Sequence, residues 1–88
     1  MTIAFPNRGR SYDASAKHIR FLGHDGMFEI RFFVEIDILT KGPFSAASSE
    51  RDYLTAFDSL RTRIFDVAER VYASKRKSSI ILKLADFR

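Results

Sequence analysis

The chain has 88 residues, a formal net charge of +4 and no cysteine. This length suits one domain over 1–88, since it leaves no room for a second hydrophobic core. Hydrophobic residues make up 45% of the chain and include nine phenylalanines, so a compact core is expected rather than disorder. The lack of cysteine excludes disulfides, thiolate metal sites and cysteine nucleophiles. With neither a run of about 18 apolar residues nor a signal-peptide core, we expect a cytoplasmic protein without a membrane partner.

The first predicted elements are an extended lead-in over 1–16 and a β-hairpin over 17–34. In the polar lead-in, Ile3 and Phe5 are the residues expected to reach the core. In the second segment, apolar and polar residues alternate with a period of two, which is typical of half-buried strands.

The turn of this hairpin is expected at or near the dipeptide Asp25-Gly26. A two-residue loop made of that dipeptide would pair Phe21 with Ile30. A four-residue loop ending at Gly26 would pair Phe21 with Phe28. Both registers match apolar faces, so the loop length stays open.

Three further elements follow the hairpin. Residues 35–42 are predicted as a short helix or turn that ends at Gly42. A long helix is predicted over 49–75, because Ser49 is a good N-cap and acidic residues follow it in the first turn. Apolar residues recur along this segment at helical spacing. Residues 79–84 have the alternation of a last strand.

Together these elements predict an α+β domain. A small, mainly antiparallel sheet, made of the hairpin and the C-terminal strand, carries one long helix on one face. The predicted order is β-β-short α-long α-β. The core is predicted from the apolar positions of these elements: Ile19, Phe21, Ile30, Phe32, Phe57, Ile64, Ala68, Ile80 and Leu82.

One charged residue, Arg61, interrupts the apolar face of the long helix. A guanidinium placed there needs an acceptor, because a buried unpaired charge is costly. Asp86 is the predicted partner, since the C-terminal segment follows the strand that the helix covers. Asp58 and Glu35 are alternatives, and a role for Arg61 in gripping a ligand carboxylate or phosphate stays open.

The adjacent pair His24 and Asp25 is the first candidate for acid–base chemistry. Neighbouring residues in a tight turn usually point apart, and no nucleophile or oxyanion donor accompanies them, so a structural interpretation is preferred. We find no phosphate-binding loop, paired-histidine motif or nucleophile elbow. No catalytic, cofactor-binding or metal-binding residue is therefore predicted, and no cofactor is expected.

The exposed face of the hairpin mixes basic residues with an aromatic ring. This basic–aromatic set consists of His18, Arg20, Arg31, Phe33 and Lys83. Sheet faces of this composition can stack single-stranded bases. If helices cover only one face, the other is either solvated or paired with another copy, and an apolar patch would favour pairing. Its members would be Met27, Phe33 and Ile81.

Five stretches, taken in order, carry a resemblance: FPNRGRSYD, IRF, GMFEIRFFVE, LTAFDSLRTRIFDVAERVY and ILKLADF. They resemble the bacterial family known as domain of unknown function 1488, with its early F-P, its helix A-F-x-x-x-R-x-x-I and its D-F ending. The helix pattern and the ending are matched here by Ala56, Phe57, Arg61, Ile64, Asp86 and Phe87. Tyr12-Asp13 stands where many members have W-D. The resemblance implies a compact α+β domain with no known catalytic set.

From these features we expect a non-enzymatic module that acts through contacts with an unknown protein partner or as a homodimer. The alternative is a nucleic-acid-associated regulator that uses the basic–aromatic set and Lys75–Lys77. The net charge supports this alternative, whereas the interspersed acidic residues oppose it. The basic run also has a structural explanation, because positive charge is favoured at a helix C-terminus.

Overall fold

The computed structural model describes residues 3–6, 9–40 and 49–87. Its elements, in chain order, are β1 (Arg10–Asp13), β2 (His18–Asp25), β3 (Phe28–Glu35), α1 (Ile36–Leu39), α2 (Glu50–Ser59), α3 (Arg61–Lys75), β4 (Ser79–Leu82) and a final 3-10 helix (Leu84–Phe87). The strands form one sheet in the order β1-β2-β3-β4. β1, β2 and β3 pair antiparallel, and β4 joins β3 in parallel. The predicted α+β class with a mainly antiparallel sheet is confirmed.

The lead-in over 1–16 contains a strand that the sequence analysis did not predict. In β1 only Tyr12 packs its ring inward, 5.2 Å from the ring of Tyr53. Arg10, which occupies the other inward position, instead donates two hydrogen bonds to Asp58. An edge strand of this kind shows no apolar alternation, so its sequence gives no strand signal.

The earlier part of the lead-in also joins the sheet. Ala4 and His24 exchange two backbone hydrogen bonds of 2.8 Å each, which extends the β1 edge along β2. Ile3 is buried, and the ring of Phe5 stacks on that of Phe65 with centroids 4.2 Å apart. The expected contact of Ile3 and Phe5 with the core is therefore observed.

The hairpin turn lies one residue beyond the predicted dipeptide. Asp25 pairs with Phe28, so Gly26 and Met27 form a two-residue loop, and both predicted registers are wrong. Gly26 has φ 62, whereas Met27 is not among the residues with positive φ. This combination matches a type II′ turn, which requires a positive φ at its first central residue. The shift preserves parity, so the apolar faces still match.

The long helix predicted over 49–75 divides at Leu60 into α2 and α3. The predicted N-cap is confirmed, because the Ser49 side chain accepts a hydrogen bond from the Asp52 amide at 3.2 Å. Leu60 has φ −101 and ψ 8, and its amide bonds to the carbonyls of Ala56 and Phe57. A break of one residue barely shifts the helical phase, so apolar periodicity cannot detect it.

The remaining two elements differ from the predictions in length. The short helix expected over 35–42 is α1, Ile36–Leu39, and its predicted end at Gly42 lies outside the described residues. The strand expected over 79–84 ends at Leu82, because the chain then turns into the 3-10 helix.

The core lies between the sheet and the helices. All nine residues predicted for it are buried. At its centre the rings of Phe21 and Phe32 stack with centroids 5.2 Å apart, and Phe57 of α2 lies 5.3 Å from Phe21. The helices therefore pack on one face of the sheet, and no described element packs on the other face.

Candidate functional site: the outer face of the sheet

The face of the sheet that points away from the core is here called the outer face. Along β2 and β3, buried positions alternate with exposed or half-buried ones, so every second side chain belongs to it. The strand register places Ser11, Arg20, Phe33 and Ile81 side by side across all four strands. Ile81 is 48% exposed although it lies in a strand, which indicates that no described element covers it.

A shallow hollow of about 440 Å³ lies on the outer face, beside the turn from β1 to β2. Its lining includes Asp13 at the end of β1, His18 and Arg20 of β2, and Arg31 and Phe33 of β3. Four of the five residues of the basic–aromatic set are therefore brought together. The rings of His18 and Phe33 lie with centroids 4.5 Å apart and form one wall of the hollow.

The hollow contains two guanidinium groups and one carboxylate. Within the described ranges, neither arginine of the hollow forms an ion pair. The Asp13 carboxylate, in contrast, accepts the backbone N–H groups of Ser15 at 2.9 Å and Ala16 at 3.2 Å. His18 Nε2 lies 4.0 Å from Asp13, beyond hydrogen-bond distance. The arrangement can therefore bind an anion at the two guanidinium groups.

Asp13 was not predicted as a member of this site, although its position carries a signal. Asp-x-Ser is a common start of an Asx turn, in which the carboxylate accepts the amide two residues on. Lys17 closes the turn in the left-handed region, with φ 56 and its amide 2.8 Å from the Asp13 carbonyl oxygen. The turn thus brings Asp13 opposite His18.

Two residues predicted to lie on this face are not part of the hollow. Lys83 follows the end of β4 and is not part of the lining of the hollow. Met27 is 99% exposed in the hairpin turn, about 20 Å along an extended strand from Phe33. The apolar patch therefore reduces to Phe33 and Ile81, which are directly paired in the register.

The predicted pairing of Arg61 with Asp86 is wrong. Arg61 Nη2 donates to Asp58 Oδ1 at 2.6 Å, and Asp58 was one of the alternatives. Asp86 instead accepts the backbone N–H of Lys83 at 2.9 Å and so caps the 3-10 helix. Because that helix turns the carboxylate back on its own chain, Asp86 is already engaged there.

Arg61 is enclosed by aromatic residues as well as by this ion pair. Its Cζ lies 5.1 Å from the ring centre of Phe57 and 5.6 Å from that of Phe65, which is within cation–π range. The Nε and Nη1 atoms are buried and have no hydrogen-bond partner among the residues that the structure describes. With the side chain only 11% exposed, a ligand would reach Arg61 only if its neighbours moved.

Asp58 accepts from a second arginine. Arg10 of β1 donates to Oδ1 at 3.0 Å and to Oδ2 at 2.8 Å, so one carboxylate joins β1 to the junction of α2 and α3. Burial alone would raise the pKa of Asp58, but the hydrogen bonds from Arg10 and Arg61 outweigh it and hold that pKa below its ordinary value.

His24 and Asp25 each form contacts that hold the fold together. His24 exchanges backbone hydrogen bonds with Ala4, and Asp25 Oδ2 accepts the hydroxyl hydrogen of Tyr72 at 2.6 Å. This bond raises the pKa of Tyr72, because ionising the phenol would remove its donor and set two negative charges together. The side chain of Asp25 therefore fastens the hairpin end to α3.

The described residues contain neither a metal-ligand cluster nor a membrane-spanning helix. Among the residues that the structure describes, no three histidine, aspartate or glutamate side chains are grouped so that they could hold a metal ion. No helix in that part of the chain combines the length and the apolarity needed to cross a bilayer.

The fold and the hollow define a small α+β domain with one uncovered, partly basic sheet face. The chain belongs to the family of proteins of unknown function DUF1488, whose model matches residues 3–82, and the predicted resemblance is thereby confirmed. No curated protein and no solved structure matches the chain significantly. The family carries no assigned activity, so membership of it does not indicate what the outer face binds.

Proposed function

We propose that this protein is a non-enzymatic module of the bacterial cytoplasm that associates with a second copy of itself through the outer face. The observation that carries the proposal is the pair formed by Phe33 and Ile81. These apolar side chains lie side by side in register on neighbouring strands, and Ile81 remains 48% exposed. Apolar side chains gathered on an uncovered face are typical of an association surface.

The charges around this pair favour a second copy over a strongly charged partner. A two-fold interface places the same patch against itself, so a charged patch of a single sign would repel its copy, whereas a patch with both signs can be self-complementary. The outer face presents exposed Arg20 and Arg31 together with exposed Asp13 and Glu29. A two-fold rotation can therefore set acids of one copy against arginines of the other.

The size of the face indicates that the association is weak. Four strands spaced about 4.8 Å apart, up to eight residues long, give a flat area of roughly 400 Å². Stable dimers bury about 800 Å² per partner, so we expect a dimer that forms only at high protein concentration.

Two further features support a non-enzymatic role. The Asp13 carboxylate accepts two backbone amides of its own turn, and the His18 ring packs against Phe33, so both side chains have structural contacts that account for their positions. A chain without cysteine also has no need of an oxidising compartment, which suits a cytoplasmic location.

Sedimentation velocity over a wide range of protein concentration tests the proposal. We expect reversible dimerisation in the wild type and its loss in Ile81→Ser and Phe33→Ser. Met27→Ser is the matched control, because Met27 is the most exposed large apolar residue but lies at the hairpin tip. A wild type that stays monomeric at every concentration, or a dimer sensitive to Met27→Ser and not to Ile81→Ser, would contradict the proposed interface.

A second candidate function, association with nucleic acid, is favoured by one observation. The hollow combines an aromatic ring with two arginines that form no ion pair with the described residues, and the basic run Lys75–Lys77, although outside its lining, is close to it along the chain. That run ends just before β4, and Ser79, the first residue of β4, pairs with Arg31. Basic side chains beside an exposed aromatic ring are the usual means of holding a single strand.

Titration of random single- and double-stranded DNA against salt concentration tests this candidate. Binding through phosphates must weaken steeply as salt rises, because condensed counterions are released on binding. The absence of binding at low salt, or binding that ignores salt concentration, would count against it.

A further inference from the structure

We propose that the hollow on the outer face is a binding site for a nucleoside phosphate. The phosphate lies between Arg20 and Arg31, and the base lies against the wall formed by Phe33 and His18. This inference goes beyond self-association. It also extends the second candidate function, association with nucleic acid, because it names the chemical group that is bound and the residues that bind it.

The two arginines are placed to share one phosphate. Arg20 faces Phe33 in the register, and Arg31 precedes Phe33 by two residues, so the arginines are diagonal neighbours on adjacent strands. Diagonal neighbours on one face lie about 7–8 Å apart, within the reach of two long side chains that converge on one ligand. Both are exposed, and neither is engaged by a carboxylate in the described part of the chain. Guanidinium groups bind phosphate oxygens with paired, charge-assisted hydrogen bonds.

The aromatic wall supplies the surface for a base. Phe33 is only half-buried, and its ring is supported by His18 at 4.5 Å with an angle of 46° between the planes. A ring held in this way offers a planar group a stacking surface that is already ordered. The hollow of about 440 Å³ also lies within the usual size range of small-ligand sites.

Asp13 distinguishes a nucleotide from a bare anion. Its Oδ1 is occupied by the amides of Ser15 and Ala16, whereas no hydrogen bond to its Oδ2 is formed by the described residues. Oδ2 is therefore available to accept a hydrogen bond from a ribose hydroxyl or a base amino group. Inorganic phosphate carries neither the ribose nor the base that would fill the rest of the hollow, so it should bind less well.

The nucleoside phosphate could be a free nucleotide or part of a single strand of nucleic acid, and a comparison of ligands distinguishes these two sources. Isothermal titration calorimetry would compare adenosine monophosphate, adenosine, ribose 5-phosphate, inorganic phosphate and a short single-stranded oligodeoxyadenylate. We expect adenosine monophosphate to bind at least about tenfold more tightly than adenosine, ribose 5-phosphate or inorganic phosphate, because each of these three lacks the phosphate, the base or both the base and the ribose. Tighter binding of the oligonucleotide would identify a single strand as the source.

Three variants locate the binding. Arg20→Gln with Arg31→Gln, and separately Phe33→Leu, should each weaken adenosine monophosphate binding by about tenfold or more. Arg51→Gln is the matched charge control, because Arg51 is exposed on α2 and lies outside the lining of the hollow. Circular dichroism would check that each variant is folded.

Several outcomes would overturn the inference. Inorganic phosphate binding as tightly as adenosine monophosphate would leave only a general anion site. An oligonucleotide that binds equally well to the double arginine variant would place nucleic acid elsewhere, and the second candidate function would then stand without this hollow. No binding of any of the five ligands would remove the site, whereas self-association, measured by sedimentation without nucleotide, would be unaffected.

Discussion

Arg10, Asp58 and Arg61 form a small charge cluster whose centre is one half-exposed carboxylate. Arg61 is buried among aromatic rings and donates a hydrogen bond to Asp58, while Arg10 approaches the same carboxylate from β1. An ion pair at a surface contributes little, but a buried guanidinium that loses its acceptor carries a large desolvation cost. The contribution of Asp58 to stability therefore arises mainly from what it does for Arg61.

We predict that Asp58→Asn lowers the free energy of unfolding by about 1–3 kcal/mol, because hydrogen bonds to charged groups are lost and Arg61 stays buried. The double variant Arg61→Met with Asp58→Asn should recover much of this loss, since no buried charge is then left unpaired. Urea denaturation of the wild type, both single variants and the double variant measures the coupling. Asp66→Asn, on the exposed side of α3, is the control, and zero coupling between 58 and 61 would contradict the pairing.

The same carboxylate predicts a dependence of stability on pH. The pKa of Asp58 in the folded state is lower than its ordinary value of 3.8, so the folded state favours the ionised form. Its contribution is therefore complete above the ordinary pKa and is lost as pH falls through the lower, folded-state pKa. The stability difference between wild type and Asp58→Asn should be constant from neutral pH to about pH 5 and shrink below pH 3.8. A difference that persists unchanged in acid would point to packing rather than charge.

At the scale of elements, the β2–β3 hairpin contains two glycines with different physical roles. Gly23 is buried, and a Cβ there would lie 2.9 Å from atoms of both Phe32 and Phe5. Gly26 is exposed, and a Cβ there would meet no atom within 4 Å, but its φ is 62. One glycine is required by packing and the other by the turn conformation.

We therefore predict that replacement by asparagine has a small effect at one glycine and a large effect at the other, because asparagine tolerates positive φ better than other residues with a side chain. Gly26→Asn should change the free energy of unfolding by less than about 1 kcal/mol, whereas Gly23→Asn should cost about 1–3 kcal/mol or more through overpacking. Thermal or urea unfolding of the two variants compares them directly. Equal destabilisation at both positions would contradict this assignment of the turn.

At the scale of the whole molecule, the two faces of the sheet have separate tasks. The inner face holds the fold through fully buried rings such as Phe57, and the outer face keeps Ile81 accessible. Substitutions on the inner face should therefore act on stability, and substitutions on the outer face should act on association.

We predict that Phe57→Ala costs about 3–5 kcal/mol, a large part of the stability of a small domain. Ile81→Ser should cost about 1 kcal/mol or less in the monomer, since half of its surface is already in solvent. Thr55→Ala on the exposed side of α2 is the control for the helix substitution. Denaturation below the concentration at which the dimer forms separates stability from association, and a larger loss for Ile81→Ser would contradict this division.

Local patterns in the sequence were sufficient for the features that depend on neighbours along the chain. The alternation around Phe21 and Ile30 predicted two strands, Ser49 predicted a helix start, and helical spacing predicted which residues of α2 and α3 are buried. Periodicity follows from the geometry of a single strand or helix, so it can be recognised without knowing what packs against it.

The tertiary structure alone decided the features that depend on pairing across the chain. β1 is a strand because β2 supplies its hydrogen-bonding partners. Several hairpin registers match the apolar faces about equally well, so the sequence pattern could not show that the turn lies at Gly26 and Met27. Arg61 takes Asp58 rather than Asp86, since the 3-10 helix turns the Asp86 carboxylate toward Lys83. The basic and aromatic residues were predicted to share the exposed face of the hairpin, but only the β1–β2 turn and the strand register bring four of them around one hollow with Asp13. The strand pairing and the hollow join residues far apart in sequence, about which a local pattern contains no information, whereas Arg61 and Asp58 lie only three positions apart and their pairing was among the predicted alternatives.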